Sequence, residues 1–212
     1  MIDVAHEVNA VARRVGTRVL EAGEANSVTI VRDYDTGIAD LWDACTKPER
    51  IARWFLPVSG ALRVGGHYQL QGNASGTIER CEPPRNFTAT WEYGGNVSWI
   101  ELRLSARSED RTRLELEHIA PGDAEHWTQF GPGAVGVGWD MALMGLGRHL
   151  RSGIALDPES AAAWSASQEG QTFVTTCSEL WCEAAIAAGA QPDAARAAAQ
   201  RTTAFYLGAA PT

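Results

Sequence analysis

The feature that most constrains this chain is a series of short alternating segments between residues 61 and 119. Apolar and polar residues alternate within each segment, and clusters such as GNAS, EPPR, YGGN and RSEDR separate them. Alternation of this kind is typical of strands with one buried face, and the separating residues are those that turns require. The predicted strands are Ala61–Val64, His67–Gln71, Gly76–Cys81, Asn86–Tyr93, Val97–Ala106 and Arg111–Ile119. The sequence therefore predicts an antiparallel meander whose apolar face needs a cover.

A helix over residues 136–153 is the expected cover. Its apolar stripe consists of Trp139, Leu143, Leu146 and Leu150, at the spacing of one helical face. Gly138, Gly145 and Gly147 lower its intrinsic helix propensity, by up to about 1 kcal/mol each relative to Ala. We expect these glycines to mark either a close approach of another backbone or open space beside the helix.

The flanking regions read as mostly helical. Valines at positions 4, 8, 11, 15 and 19 predict an amphipathic helix over residues 4–22, and a strand is expected from Ser27. Two short helices follow, the second with Thr46 as its N-cap and Pro48 in its first turn. After Asp157 the composition becomes rich in Ala, and three further helical pieces are predicted.

Composition excludes several classes of function. The 212 residues carry a net charge of −8 with a pI near 5.1, which argues against binding to nucleic acid or to an anionic membrane. The N-terminus has no apolar secretory region, and no apolar run approaches the roughly 20 residues of a membrane-spanning helix. The four scattered cysteines are expected to be free thiols. We predict a cytoplasmic protein without membrane insertion.

Five separated blocks make the sequence resemble a known family. They are LWDACTKPERIARWFLP, VGGHYQL, GTIERCEPPRNFTATWE, TRLELEH and GWDMALMGLGRHL. In order and spacing they are similar to the activator of heat-shock-protein ATPase homologues, within the START-like SRPBCC superfamily. The resemblance covers residues 27–152. The tail is similar to an extension of some bacterial members, and the N-terminal segment is outside the pattern.

The resemblance implies an α+β helix-grip fold, in which a curved antiparallel sheet wraps around a long helix. The expected organisation is an N-terminal amphipathic helix over 1–26, the helix-grip domain over 27–155, and a helical extension over 156–212. That extension is expected to pack either on the domain or on a partner subunit.

A cavity between sheet and helix is also implied, and the superfamily uses it for mostly apolar molecules. The aromatic residues of the sheet and helix region are the best signal for its lining, although core packing is the favoured interpretation for any one of them. Trp54 and Phe55 are expected at the rim. The predicted lining is Trp54, Phe55, Tyr68, Leu70, Ile78, Phe87, Trp91, Tyr93, Leu102, Leu116, His118, Trp139, Leu143 and Leu146.

Few residues suggest catalysis. His118 shares a strand face with Leu116, so it is either a general base or ligand contact, or a histidine at the edge of the core whose hydrogen bonds are satisfied internally. We favour the second interpretation, a histidine at the edge of the core. Either Glu79 or Arg80 could face inward, and an exposed ion pair is the favoured alternative. No metal-ligand spacing, nucleophile motif or phosphate-binding loop is present, so no catalytic residue, metal or cofactor is predicted.

Three functions remain open. The first is binding of a small, mostly apolar molecule. The second is a cyclase or dehydratase that uses the same cavity, and the third is a chaperone-regulating interaction domain. A homodimer formed through the extension is a further alternative.

Overall fold

The computed structural model describes residues 2–21, 23–122 and 125–208. The predicted N-terminal and C-terminal segments include residues 1, 22 and 209–212, which lie outside the described residues. The strands are β1 Val11–Leu20, β2 Gly23–Tyr34, β3 Val58–Gly60, β4 His67–Leu70, β5 Ser75–Glu82, β6 Asn86–Tyr93, β7 Asn96–Ser108 and β8 Arg111–Pro121. The helices are α1 Val4–Asn9, α2 Ile38–Thr46, α3 Pro48–Ile51, α4 Glu125–Phe130, α5 Gly133–Ser152, α6 Pro158–Ala166, α7 Gln168–Ala187 and α8 Pro192–Tyr206.

The strands form one curved, open antiparallel sheet of eight strands in the order β1-β2-β8-β7-β6-β5-β4-β3. From β3 to β8 each strand pairs with its neighbour in the sequence, as short turns between antiparallel strands require. The α+β helix-grip class is confirmed. The strands predicted from residue 67 onward, α5 and the three helices of the tail are confirmed as well.

The N-terminal prediction is wrong beyond Asn9. The helix predicted over residues 4–22 ends there, and Val11–Leu20 forms a strand. A spacing of four residues fits both periods, because four is close to one helical turn and is also a multiple of two. Val11, Val15 and Val19 therefore lie on one face of a strand as readily as on one face of a helix. Their β-branched side chains favour the strand.

Smaller corrections lie around the start of the meander. The strand predicted over residues 61–64 is displaced to Val58–Gly60, which pairs with β4 through Val58 opposite Leu70. Gly60 has a φ of +102°, which ends the strand in a conformation that suits only glycine. Thr46 does not cap α3, because its hydroxyl donates to the Trp42 carbonyl (2.7 Å). Helix α4 was not predicted, since six residues carry too little periodicity.

Contacts divide the chain into two compact units. We call Val31–Ile119 with Ala142–Leu156 the meander unit, and Met1–Ile30, Ala120–Met141 and Asp157–Thr212 the terminal unit. Among the described residues, no helix is long and apolar enough to cross a bilayer.

In the terminal unit the tail packs on its own chain. Helix α7 lies against α1 and β1, and buries Phe173 and Trp181. Helix α8 holds the corner between α4 and α5 through side-chain hydrogen bonds. Thr202 donates to the Phe130 carbonyl (2.9 Å) and Tyr206 to the Ala134 carbonyl (3.1 Å).

A buried ion pair joins three elements of that unit. Arg13 on β1 donates through Nη2 and Nε to both carboxylate oxygens of Asp140 on α5, at 2.8 and 3.2 Å. The indole of Trp181 on α7 donates to the same carboxylate (2.9 Å). Burial raises the pKa of Asp140, and the Arg13 guanidinium opposes that shift. Gly136 makes room for the Trp181 ring, since a Cβ there would lie 2.3 Å from it.

In the meander unit the glycines of α5 mark close approaches. A Cβ at Gly145 would lie 2.6 Å from the Trp54 carbonyl oxygen, and one at Gly147 would lie 2.9 Å from the Arg32 guanidinium. The Tyr34 hydroxyl donates to the Leu143 carbonyl (2.9 Å) and fixes the end of β2 against the same helix. The predicted close approach of another backbone is therefore confirmed at Gly145, whereas the atoms near Gly147 belong to an arginine side chain.

Candidate functional site

The pairing register brings the predicted lining residues of three strands onto one face. Leu102 lies opposite Phe87 on one side and Leu116 on the other. Ile100 lies in the same way between Ala89 and His118. We call this the inner face of the meander unit. It carries Phe87, Ala89, Trp91, Ser98, Ile100, Leu102, Leu104, Leu114, Leu116 and His118.

One polar pair stands on this face. The His118 Nε2 atom lies 2.9 Å from the Ser98 hydroxyl oxygen, and that hydroxyl donates to the Trp91 carbonyl (3.0 Å). A serine hydroxyl has a single proton, so the Nε2 atom must be the donor in the bond to Ser98. The Trp91 ring stands edge-on to the imidazole, with 5.9 Å between centroids.

His118 is uncharged at neutral pH. Its side chain is buried, with 3% of its surface exposed, and burial lowers its pKa to about 4. Removing an imidazolium from water is costly, so the neutral ring is strongly favoured. The pair therefore offers hydrogen bonding without charge.

Tyr68 has its hydroxyl committed to the sheet. The phenol donates to the Thr90 carbonyl of β6 (2.7 Å), and burial raises the Tyr68 pKa. Tyr68 lies opposite Gly76 in the register, and a Cβ at Gly76 would lie 2.0 Å from the Thr90 carbonyl oxygen. The Thr77 amide donates to the Thr90 hydroxyl (2.8 Å). Tyr68 therefore contributes an apolar ring surface to the unit, while its hydroxyl links β4 to β6.

Trp54 and Phe55 differ in burial. Trp54 is 8% exposed, and its indole donates to the Ala44 carbonyl (2.9 Å). Phe55 is half-buried and stacks on Trp54 at a centroid distance of 5.6 Å and an interplanar angle of 24°. Both residues lie in the turn that directly follows α3.

The remaining predicted residues divide by exposure. Leu70, Leu102, Leu116, Leu143 and Leu146 are buried in the meander unit. Ile78, Phe87 and Trp91 are half-buried, and Tyr93 is 56% exposed at the end of its strand. Trp139 is buried in the terminal unit. The inner face thus has a filled aliphatic part and a partly open aromatic part.

Sequence reasoning missed Ser98 and Trp42. Ser98 shares strand parity with Ile100 and Leu102, which was the available signal for its place beside His118. Trp42 on α2 stands edge-on to Phe87, with 6.3 Å between centroids. The prediction that Glu79 and Arg80 are exposed is confirmed. Arg80 forms an ion pair with Glu82 at 3.6 Å.

A separate open cleft of about 610 Å³ lies in the terminal unit. Its walls come from Ile2, Asp3, Val4, Gln168, Glu169 and Thr172. These residues are unrelated to the predicted lining. Across the described residues, no group of three or more His, Cys, Asp and Glu side chains could hold a metal ion.

Comparison with known proteins gives a family and a fold. Residues 35–151 match the family described as Activator of Hsp90 ATPase homolog 1-like protein. The crystal structure of CalU16 from Micromonospora echinospora is 43% identical, over 79% of this chain and 98% of that one, with a TM-score of 0.61. Its solution structure is 38% identical over 94% of each chain, with a TM-score of 0.64.

DynU16, a protein of the dynemicin biosynthetic locus, is more distant. Its crystal structure is 20% identical over 61% of this chain and 48% of that one, with a TM-score of 0.53. At that identity the likeness shows the shared fold alone. No curated protein matches the chain.

Proposed function

The chain belongs to the family of Activator of Hsp90 ATPase homolog 1-like proteins, and we propose that its meander unit binds a small, uncharged, mostly apolar molecule. The contact surface is the partly open aromatic part of the inner face. Trp91 and Phe87 supply apolar area, and the Ser98–His118 pair supplies the polar contact that orients the ligand.

The observation that carries this proposal is the neutral polar pair beside a half-buried tryptophan. Small-molecule sites are mostly apolar and contain a few placed polar groups. His118 has its pKa lowered to about 4 by burial, so it presents no charge to the ligand at neutral pH. An anionic ligand would lack a counter-charge from this pair, which favours an uncharged one.

Binding is favoured over catalysis by the same chemistry. A general base works best when its pKa is near the operating pH. His118, with a pKa of about 4, is a weak base at pH 7, and the phenol of Tyr68 is held by the Thr90 carbonyl. The cyclase or dehydratase alternative would need a ligand that raises the pKa of His118.

The chaperone-regulating alternative rests on the family description. It predicts that a partner protein binds outside the inner face, so substitutions on the inner face would leave that interaction unchanged. A cytoplasmic location and a homodimer are further parts of the proposal, to be tested by cell fractionation and native mass spectrometry.

A matched pair of tryptophans tests the proposal. Trp91 lies on the inner face, whereas Trp99 is also half-buried but lies opposite Thr90 and Ile119 on the other face. With Nile red as a neutral apolar probe, Trp91→Ala should weaken binding by about tenfold, which corresponds to about 1.4 kcal/mol. Trp99→Ala should change binding less than about twofold, because it leaves the aromatic contact in place.

Equal losses in the two variants would contradict the inner face as the binding site. The natural ligand class is sought by native mass spectrometry of the protein from its own host, before and after denaturation. A small molecule released only on denaturation supports binding and gives a mass. If the protein carries no small molecule and does not bind Nile red, the proposal fails.

A further inference from the structure

We propose that His149 and Arg50 form a pH switch that sets the position of the Trp54–Phe55 ring pair. The role of that ring pair at the edge of a ligand site rests on the proposed function. The coupling between the switch and the rings does not, because it depends only on contacts within the meander unit.

The switch is a chain of hydrogen bonds centred on one guanidinium. Arg50 on α3 donates through Nε to the His149 Nε2 atom (3.2 Å) and through Nη1 to an Asp40 carboxylate oxygen (3.0 Å). The Thr36 hydroxyl donates to the other oxygen of Asp40 (2.9 Å). The Nδ1 atom of His149 faces the Ile154 carbonyl (3.4 Å). This pattern requires His149 to be neutral with its proton on Nδ1.

Protonation of His149 would break this arrangement. The Nε2 atom would then carry a proton that points at the Nε proton of Arg50, so an accepting atom would become a second donor. Two positive charges would also face each other across 3.2 Å. His149 is 5% exposed and the Arg50 side chain is 25% exposed, so water screens this repulsion only in part. The Arg50 guanidinium would have to move away from His149, while its hydrogen bond to Asp40 would remain.

Burial is the main cause of the shift in the pKa of His149, and three charged groups adjust it. Burial lowers the pKa of His149, the nearby positive charges of Arg50 and Arg53 lower it further, and the negative charge of Asp40 opposes them. The bond to the Ile154 carbonyl also opposes the shift. The transition is therefore expected on the acid side of the ordinary histidine value of about 6.5.

Arg50 is coupled to the rings through one turn of backbone. The Ile51 carbonyl accepts from the amides of both Trp54 (3.2 Å) and Phe55 (3.0 Å). Gly145 of α5 lies directly against the Trp54 carbonyl oxygen. A shift of Arg50 away from α5 is thus transmitted to the turn that carries both rings.

Two contacts limit the movement. The Arg53 guanidinium donates to the Gly153 carbonyl, and the Leu156 amide donates to the Arg53 carbonyl (2.7 Å). Neither contact involves His149. The turn is therefore expected to reorient on protonation of His149 while it stays attached to the end of α5.

The test follows both groups in the same protein by NMR. The His149 ring signal, assigned with His149→Gln, gives its pKa, and 5-fluorotryptophan labelling gives a Trp54 signal, assigned with Trp54→Phe. Between about pH 8 and pH 5, the Trp54 signal should titrate with the His149 midpoint. In His149→Gln the titration of Trp54 should vanish, because a glutamine carbonyl accepts from Arg50 without changing charge.

Two further variants sharpen the result. Arg50→Gln removes the facing charge, so the His149 midpoint should rise toward about 6.5. His67→Gln removes an exposed histidine on β4 of the same unit and should leave the Trp54 titration unchanged. The proposal is overturned if the titration midpoint of His149 is at or above the ordinary histidine pKa of about 6.5. It is also overturned if the Trp54 signal does not change with the titration of His149.

Nile red binding measured over the same pH range separates this inference from the proposed function. If Trp54 follows His149 but no Nile red binds, the switch stands and the binding proposal fails. If Nile red binds while Trp54 does not follow His149, the switch is overturned and the binding proposal stands.

Discussion

The two units of this protein bury polar groups in opposite ways. In the terminal unit, Arg13 and Asp140 form an ion pair with side-chain exposures of 5% and 1%. Partners on three elements surround them. In the meander unit, Ser98 and His118 are neutral and stand beside the half-buried ring of Trp91. A buried charge must be paired by the protein itself, whereas a neutral pair beside open aromatic surface can also serve a ligand.

The difference fits a structural role for the first cluster and the recognition role that we propose for the second. Asp140 accepts from Arg13 and Trp181, and Arg13 also donates to the carbonyls of Val8 and Val11. These bonds hold α7 of the tail against the start of β1 and the first half of α5. The resulting prediction is that damage to this cluster lowers stability, while damage to the inner face lowers binding.

The largest expected effect follows loss of the Asp140 charge. Asp140→Asn leaves the Arg13 guanidinium buried without its counter-charge, and we expect the free energy of unfolding to fall by about 3–5 kcal/mol. Urea denaturation at neutral pH measures this change.

A double variant identifies the cause. In Arg13→Met/Asp140→Leu both charges are replaced by apolar side chains, which commonly restores much of the stability lost in a single variant. If Asp140→Asn lowers the free energy of unfolding by less than about 1 kcal/mol, the Arg13–Asp140 cluster does not have the stabilising role that we predict.

The next largest effect is the pH dependence from His118. Burial lowers its folded-state pKa to about 4 from the ordinary 6.5, so the unfolded chain takes up a proton at a higher pH than the folded protein. The contribution is constant above pH 6.5. It is lost as the pH falls from 6.5 to about 4, where the loss reaches about 3 kcal/mol.

His118→Gln is the matching variant, since its amide can still donate to Ser98 but does not titrate. Its unfolding free energy should fall less steeply between pH 6.5 and 4 than that of the unmodified protein, by about 3 kcal/mol over the range. Parallel pH profiles would show that the pKa of His118 is the same in the folded and the unfolded protein, which would contradict a neutral polar pair maintained by burial.

The inner face was largely predictable, because strand alternation assigns faces directly. Leu116 and His118 share a face of one predicted strand, and the register places Leu102 of the neighbouring strand on the same face. Alternation does not say how deeply a residue is buried. It could not separate buried Leu102 from Tyr93, which is exposed at the end of β6.

The Arg13–Asp140 cluster was not predictable in the same way. Its members lie 127 residues apart, and the valine spacing around Arg13 fits helix and strand alike. Only the pairing of β1 into the sheet decides which way Arg13 points. Trp181 lies in the tail that was predicted to be helical, but nothing local to it in the sequence indicates a carboxylate partner.

A smaller effect is expected where α5 meets the turn after α3. A glycine-to-alanine change within a helix ordinarily stabilises it by about 1 kcal/mol. At Gly145 a Cβ would lie 2.6 Å from the Trp54 carbonyl, so Gly145→Ala should instead destabilise the protein by about 1–3 kcal/mol. Thermal unfolding measures the change.

Gly138→Ala is the control on the same helix. Its Cβ would meet the end of the Tyr206 side chain at 3.0 Å, and a side-chain end can move more cheaply than a backbone carbonyl. We expect Gly138→Ala to be clearly less destabilising than Gly145→Ala. The reverse order would show that the close approach of α5 to the Trp54 carbonyl does not limit substitution at Gly145.

The smallest effect completes the comparison of buried and exposed charge. Arg103 on β7 pairs with Glu115 of β8 (3.0 Å), but its side chain is 39% exposed. Water already solvates much of that guanidinium, so Arg103→Gln should cost less than about 1 kcal/mol, and added salt should reduce the cost. Arg13→Gln, which removes a guanidinium with 5% exposure, should cost about 3–5 kcal/mol and respond little to salt. Equal losses of unfolding free energy in the two variants would mean that burial does not determine the contribution of the Arg13–Asp140 pair to stability. A large difference in cost, with a salt response only for Arg103→Gln, would show that burial, and not the presence of an ion pair, distinguishes the Arg13–Asp140 cluster from the surface pair.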